Sequence, residues 1–230
     1  MMTVSSVPSD GLSRRAVCGG ICLLLSGCMT APQYSLSGYQ PGIDAYASIY
    51  GPVVDGVHEI PALDLDQVDH DLLRREVAFP TRYPPGTIVV NVTERRLYLV
   101  QRGGRALRYA VGVGREEAVN FRGSAVVGRK AEWPRWIPTA DMIRKIPRYA
   151  AYAGGMAGGL ENPLGARALY LYVGDRDSYF RIHGTNEPTT IGSAVSSGCI
   201  RMFNQDIIEL YNRVPLGAPV VVLQPHDGAA

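Results

Sequence analysis

A chain of 230 residues with 46% hydrophobic and 19% charged side chains can build one sizeable core plus extensions, and it is too apolar for a disordered protein. Its 23 basic and 21 acidic side chains leave a formal charge of +2, with no basic cluster interleaved with stacking aromatics, which argues against nucleic acid as a partner. No HExxH, cysteine pair or clustered His and carboxylate set marks a metal site, and no G-x-S-x-G elbow marks a serine hydrolase.

The N-terminus opens the chain-order reading. Arg14 and Arg15 precede the apolar run Ala16 to Leu25, which is too short to span a bilayer and reads as a signal peptide over 1–27. Leu25-Ser26-Gly27-Cys28 resembles the lipobox of bacterial lipoproteins, which implies acylation of the Cys28 thiol. Cys18 and Cys22 fall in the removable segment, so Cys199 is expected to be the one unmodified thiol of the mature chain. In an oxidising compartment such a thiol is either a buried small hydrophobe or a reactive group.

Residues 28–85 read as a tether, rich in Gly, Pro, Tyr and Ser, with one short helix over 64–77. There Leu65, Val68, Leu72 and Leu73 recur at helical spacing behind Asp64, Asp66 and Asp69. The catalytic domain is expected over 86–225, followed by a tail over 226–230. It begins as a β-meander: Thr87 to Val92, Leu97 to Gln101 and Arg105 to Val113, broken by Thr93-Glu94-Arg95 and Arg102-Gly103-Gly104.

A strand is expected at Ser124 to Arg129, followed by Glu132-Trp133-Pro134-Arg135-Trp136-Ile137-Pro138, a stiff aromatic segment. It serves either as a core edge or, through Trp133, as a wall of a substrate groove. A short helix is expected over Asp141 to Lys145. Gly154-Gly155 and Gly158-Gly159 forbid a stable helix over 149–165, leaving a lid or a flexible connection. Strands at Ala168 to Val173 and Tyr179 to His183 flank the turn Gly174 to Asp177. A helix over Gln205 to Arg213 capped by Asn204, and a turn and strand over Val214 to Leu223, complete the domain.

Two segments carry chemistry: Ile182-His183-Gly184-Thr185-Asn186 and Ser196-Ser197-Gly198-Cys199-Ile200-Arg201-Met202. A thiol is a weak nucleophile until a base raises its thiolate fraction, and an imidazole can do this. Successive N–H groups of the Gly-containing turn Ser197-Gly198-Cys199 can stabilise an oxyanion.

Together these segments resemble the catalytic signature of the L,D-transpeptidases, the YkuD-type domain. The likeness runs on through Trp133-Pro134, Glu161 to Tyr170 and Ile191-Gly192. It implies a mostly β fold, a sandwich of mixed sheets with one or two short helices. It also implies Cys199 as nucleophile, His183 as base, and Arg201 as a residue that holds a substrate carboxylate or orders the site. Trp133 and Asn186 are further candidates for substrate binding, and no cofactor or metal is needed.

The implied partners are peptidoglycan peptide stems, with wall-attached proteins as a further possibility and the membrane reached through Cys28. The implied location is the periplasmic face of a Gram-negative outer membrane. The same site could serve an L,D-carboxypeptidase or crosslink hydrolase, and an inert wall-binding lipoprotein is the third reading. Two departures stand out: Ser197 occupies the place where the family commonly has a second histidine, and Gly184 follows His183 where some members carry a hydroxyl.

Overall fold

The computed structural model describes residues 42–115, 120–196 and 198–223. The leader with Cys28, the oxyanion candidate Ser197 and the tail from 226 lie outside the described residues. Elements in chain order are α1 (Ile43–Ile49), β1 (Val53–Asp55), β2 (His58–Ile60), β3 (Arg75–Ala78), β4 (Ile88–Asn91), β5 (Arg96–Gln101), β6 (Arg105–Ala110), β7 (Val113–Gly114) and β8 (Gly123–Glu132). There follow α2 (Ala140–Lys145), β9 (Arg167–Val173), β10 (Arg176–His183), β11 (Ala194–Ser196), β12 (Ile200–Arg201), α3 (Asn204–Arg213) and β13 (Pro219–Leu223).

The fold is mostly β. Nine strands form one mixed sheet in the order β12-β10-β9-β8-β13-β4-β5-β6-β3, with β10–β12 and β13–β4 parallel and the rest antiparallel. A flat sheet of this width would hold its two ends far apart. Instead Gly112, just beyond β6, exchanges both backbone hydrogen bonds with Arg201 of β12 at 2.9 Å, and β7 pairs with β11. The sheet therefore folds back on itself as a sandwich around one core. That core takes Ile88, Val90, Leu97 and Tyr109 from one half and Leu169, Leu171, Ile182 and Ile200 from the other.

Helix α3 covers the core through Ile207 and Leu210. Its C-terminal carbonyls need donors, and Lys130 Nζ of β8 supplies them, donating to Tyr211 O at 2.6 Å and Val214 O at 2.7 Å.

The segment read as a tether is folded from Ile43 onward. Tyr46 of α1 and Tyr50, its C-cap, join Leu73, Ala110, Ile191 and Phe203 in a second cluster, against which Leu63, Leu65, Val68 and Leu72 pack. The helical spacing of these leucines thus reports burial and not a helix. The Asp64 carboxylate accepts from Asp66 N and Gln67 Nε2, and Asp69 caps only a 3-10 turn over His70–Leu72; such local bonds compete with helix propagation. Residues 75–78 then extend to cover the β6 edge as β3.

The dock is polar as well as apolar. Tyr50 Oη donates to the fully buried Asp206 carboxylate at 3.0 Å and accepts from Arg74 N at 2.6 Å, while the Arg74 guanidinium pairs with Asp206 at 3.1 Å.

Candidate active site

His183 ends β10 because the ladder brings it beside Arg201 of β12 in parallel register, while Met202 N donates to His183 O at 2.8 Å. Residues two apart on a strand share a face. Arg181 and His183 of β10 therefore share one face with Arg201 of β12 and, two positions earlier, Cys199. This diagonal spacing is about 8 Å between Cα atoms, which an imidazole and a thiol can bridge.

The imidazole is buried, and its Nδ1 lies 2.6 Å from Gly184 O. A carbonyl can only accept, so the neutral ring carries its proton on Nδ1 and presents the Nε2 lone pair. The partner orienting the ring is thus a backbone carbonyl, with no carboxylate bonded to it among the described residues. Burial lowers His183 from its ordinary 6.5 to about 4; the Gly184 and Leu164 carbonyls pull it up, and the Arg201 and Arg181 charges add to the lowering.

Cys199 is a partly exposed free thiol. Burial of its sulfur pushes the thiol up from its ordinary range, opposed by the Arg181 backbone N–H directed at it and by the positive Arg181 and Arg201 side chains. Burial thus favours the uncharged form of each group, the thiol of Cys199 and the neutral imidazole of His183.

The turn before Cys199 is held by Ser196, whose hydroxyl accepts from Gly198 N at 3.1 Å and donates to Cys199 O at 2.6 Å. Gly198 sits at φ 118°, a region closed to residues with a Cβ, which accounts for glycine there. Its N–H, one of the oxyanion donors expected from sequence, is therefore committed to Ser196. The Cys199 N–H has no partner among the described residues.

The loop carrying His183 is fixed by Asn204. This residue was expected to cap α3, but Phe203 holds the N-cap position, without a side-chain bond. Asn204 instead accepts from Ala166 N at 3.0 Å and donates to Thr185 O at 2.9 Å, tying the strand ends of β9 and β10 together. A Cβ at position 184 would overlap Asn204 Oδ1, so glycine follows His183 because the amide occupies that space.

The remaining sequence candidates have protein partners. Arg201 pairs with Glu187 at 2.9 Å, on the face shared with Cys199. Asn186 Nδ2 donates to Glu161 O at 3.0 Å. Trp133 donates from Nε1 to Asp55 at 2.9 Å and packs on His58 at 4.0 Å, both in the β1–β2 hairpin. Asp55 also forms a two-pronged pair with the buried Arg167 at 2.6 and 2.9 Å. The glycine-rich segment 149–165 is tied down: Asn162 Nδ2 donates to Pro134 O and Ala157 O, and Trp136 and Met156 exchange backbone bonds.

Sequence reasoning assigned no role to Ser196, Asp55 or Arg181, and gave Asn204 only that of a helix cap. For Arg181 a signal existed, since it alternates with His183 along one strand. Among the described residues no group of three or more His, Cys, Asp or Glu could hold a metal ion, and no helix is long and apolar enough to cross a membrane.

The L,D-transpeptidase catalytic domain (YkuD) matches residues 85–222. The probable L,D-transpeptidase ErfK/SrfK of Salmonella typhimurium is 33% identical over 190 residues, which are 79% of this chain and 59% of the relative. The probable L,D-transpeptidase YbiS of Escherichia coli is 36% identical over 144 residues, 58% of this chain and 43% of the relative. The chain thus spans about half the length of these curated relatives.

Among solved structures, a Brucella melitensis chain described as a probable carnitine operon oxidoreductase is 48% identical, covering 70% of this chain and 99% of that one, with a TM-score of 0.47. L,D-transpeptidase 3 from Mycobacterium tuberculosis is 20% identical, covering 60% of each chain, with a TM-score of 0.42. With the catalytic-domain match spanning more than half of its length, the chain belongs to the YkuD-type L,D-transpeptidase family.

Proposed function

We propose that this protein is an exported peptidoglycan L,D-transpeptidase that works through a Cys199 acyl-enzyme. The observation that carries the reading is the Nδ1 bond to Gly184 O, because it leaves Nε2 of His183 as a base on the face it shares with Cys199. The substrate is a tetrapeptide stem, attacked at the carbonyl that joins the L-centre of a diamino acid to D-alanine.

As the Cys199 sulfur adds to that carbonyl, its proton passes to His183 Nε2, so charge separates only in the presence of substrate. The oxyanion is met by backbone N–H groups of the nucleophile turn, of which the Cys199 N–H is unengaged among the described residues. The C–N bond breaks, His183 returns the proton to the departing D-alanine amine, and a thioester remains. An amine of a neighbouring stem or of a wall protein attacks the thioester, and the thiol is restored. Arg201, paired with Glu187, keeps positive charge beside the site, where it favours the developing thiolate.

Intact mass after incubation with a carbapenem tests the acyl-enzyme: one adduct is expected on the native chain and none on Cys199→Ala. Labelling that persists on the variant would overturn the assignment. Incubation with tetrapeptide-bearing wall fragments identifies the acceptor, since linked dimers mark an amine and shortened stems mark water.

The chain is placed at the outer membrane through acylated Cys28, with the domain in the periplasm. Cys28→Ala is expected to move the protein to the soluble fraction, and unchanged membrane attachment would reject the anchor.

A further inference from the structure

Arg201 makes one side-chain bond among the described residues, from Nη1 to Glu187 Oε2 at 2.9 Å. A guanidinium presents a fork of N–H groups that matches both oxygens of a carboxylate, so this single contact leaves part of the fork unused. The Arg201 side chain is 20% exposed and that of Glu187 56%, and an ion pair so open to water is weak.

Glu187 is fixed through its backbone and not through its side chain. Its N–H donates to the hydroxyl of the buried Thr185 at 3.0 Å, and its carbonyl accepts from the Thr190 hydroxyl at 2.7 Å. The carboxylate can therefore swing into solvent while the loop after His183 keeps its shape.

Arg201 stands beside both reacting groups. It is opposite His183 in the β10–β12 register and two residues beyond Cys199 on the same face, and its charge bears on both. Two strand positions are about 7 Å, a span that an arginine side chain covers. In a tetrapeptide stem, the carboxyl carbon of the terminal D-alanine is three bonds from the carbonyl carbon that Cys199 attacks, no more than about 4 Å away. A stem whose reacting carbonyl meets the sulfur thus brings its terminal carboxylate within reach of Arg201.

We infer that Glu187 is an internal stand-in for that carboxylate: it holds Arg201 in the free enzyme, and the terminal carboxylate of the donor stem displaces it and takes the guanidinium with two parallel bonds. This rests on the transpeptidase reading. It makes Glu187 a specificity-determining residue, because the competing charge sets how strongly a free terminal carboxylate is preferred over a neutral end.

The test uses the full chain and two synthetic tetrapeptide stems, one ending in free D-alanine and one in its C-terminal amide. On a Cys199→Ala background, where no acyl-enzyme forms, the free acid is expected to bind about tenfold tighter than the amide. Adding Glu187→Gln removes the competing charge and is expected to widen that preference about threefold, by tightening the acid alone. Adding Arg201→Gln instead is expected to bring acid and amide to equal affinity, and Arg201→Lys to restore part of the difference. Equal binding of the two stems to Cys199→Ala, a preference left unchanged or narrowed by Glu187→Gln, or one that survives Arg201→Gln, would each overturn the inference. The preference and its widening, with no turnover of either stem by the native chain, would overturn the transpeptidase reading alone.

Discussion

Two titratable centres meet the first turn of α3, one through Asp206 and the other through the Asn204 bridge, and they are built on contrasting plans. At the dock, Asp206 is bonded by the Tyr50 hydroxyl and the Arg74 guanidinium, and Arg74 also reaches Glu209, which itself accepts from Tyr109. At the site, His183 and Cys199 have backbone groups and two arginine charges around them, but no bonded carboxylate among the described residues. Saturation with partners makes the first centre a clamp between extension and domain. At the second, sparse partnering leaves burial to favour the neutral form of each group.

The contrast is broken most severely from the dock side. At about pH 8, above the value of about 7 to which burial raises Asp206, Arg74→Met leaves a buried carboxylate without its counter-charge, and such one-sided removals cost about 3 to 5 kcal/mol. Urea midpoints are expected to fall accordingly, while carbapenem labelling of Cys199 per folded molecule stays at the native rate. A variant as stable as the native chain would show that the extension is not clamped by this pair. A stable variant with a slower label would show that the two centres are coupled.

A smaller effect is expected where the site borrows its order from α3. Asn204→Ala strips the Ala166 N–H and the Thr185 carbonyl of their partner, at about 1 to 3 kcal/mol of stability. Because Gly184 lies between this bridge and His183, labelling of Cys199 is expected to slow as well. Asn204→Asp keeps the acceptor for Ala166 N but loses the donor to Thr185 O, so its rate should fall between the two. A labelling rate untouched in Asn204→Ala would confine Asn204 to stability.

The two centres also differ in how visibly the sequence announced them. The meander was legible because Thr93-Glu94-Arg95 and Arg102-Gly103-Gly104 interrupt β-branched runs at hairpin spacing, and β4 to β6 fall where those breaks demand. The site was legible as a motif, since His183 and Cys199 are each embedded in residues that serve them locally: Gly184 makes room for Asn204, and Ser196 and Gly198 shape the nucleophile turn.

The dock left no comparable trace. Tyr50, Arg74 and Asp206 meet only after the chain has folded, with Tyr50 156 positions from Asp206 and Arg74 132 positions from it. Read alone, Asp206 is an acidic residue in the first turn of a helix and Tyr50 one of many tyrosines in a loop-like stretch. The leucines of 63–72 show the same limit: a period near 3.6 identifies a buried face, but local carboxylate turns and the open β6 edge decide the backbone.

The mildest and most discriminating prediction sets the two centres against each other in one pH window. His183 has its proton affinity lowered by burial, to about 4 from an ordinary 6.5, so below 6.5 the unfolded chain binds the extra proton and stability falls as pH drops. Asp206 is raised by burial to about 7 from an ordinary 3.8, so the folded chain holds the extra proton and stability falls as pH rises through that range. Between about pH 5 and 6, one proton favours each side, and the two slopes cancel in the native chain.

Removing either group should expose the other. His183→Gln is expected to lose stability as pH rises from 5 to 6, and Asp206→Asn to gain it, each at about 1 kcal/mol per pH unit, the slope for a single linked proton. Urea titrations at half-unit steps read this directly. A flat profile for His183→Gln beside a rising one for Asp206→Asn would mean that Arg74 holds Asp206 ionised in the fold, making the dock an ion pair throughout and leaving His183 as the single pH-sensitive group of the two.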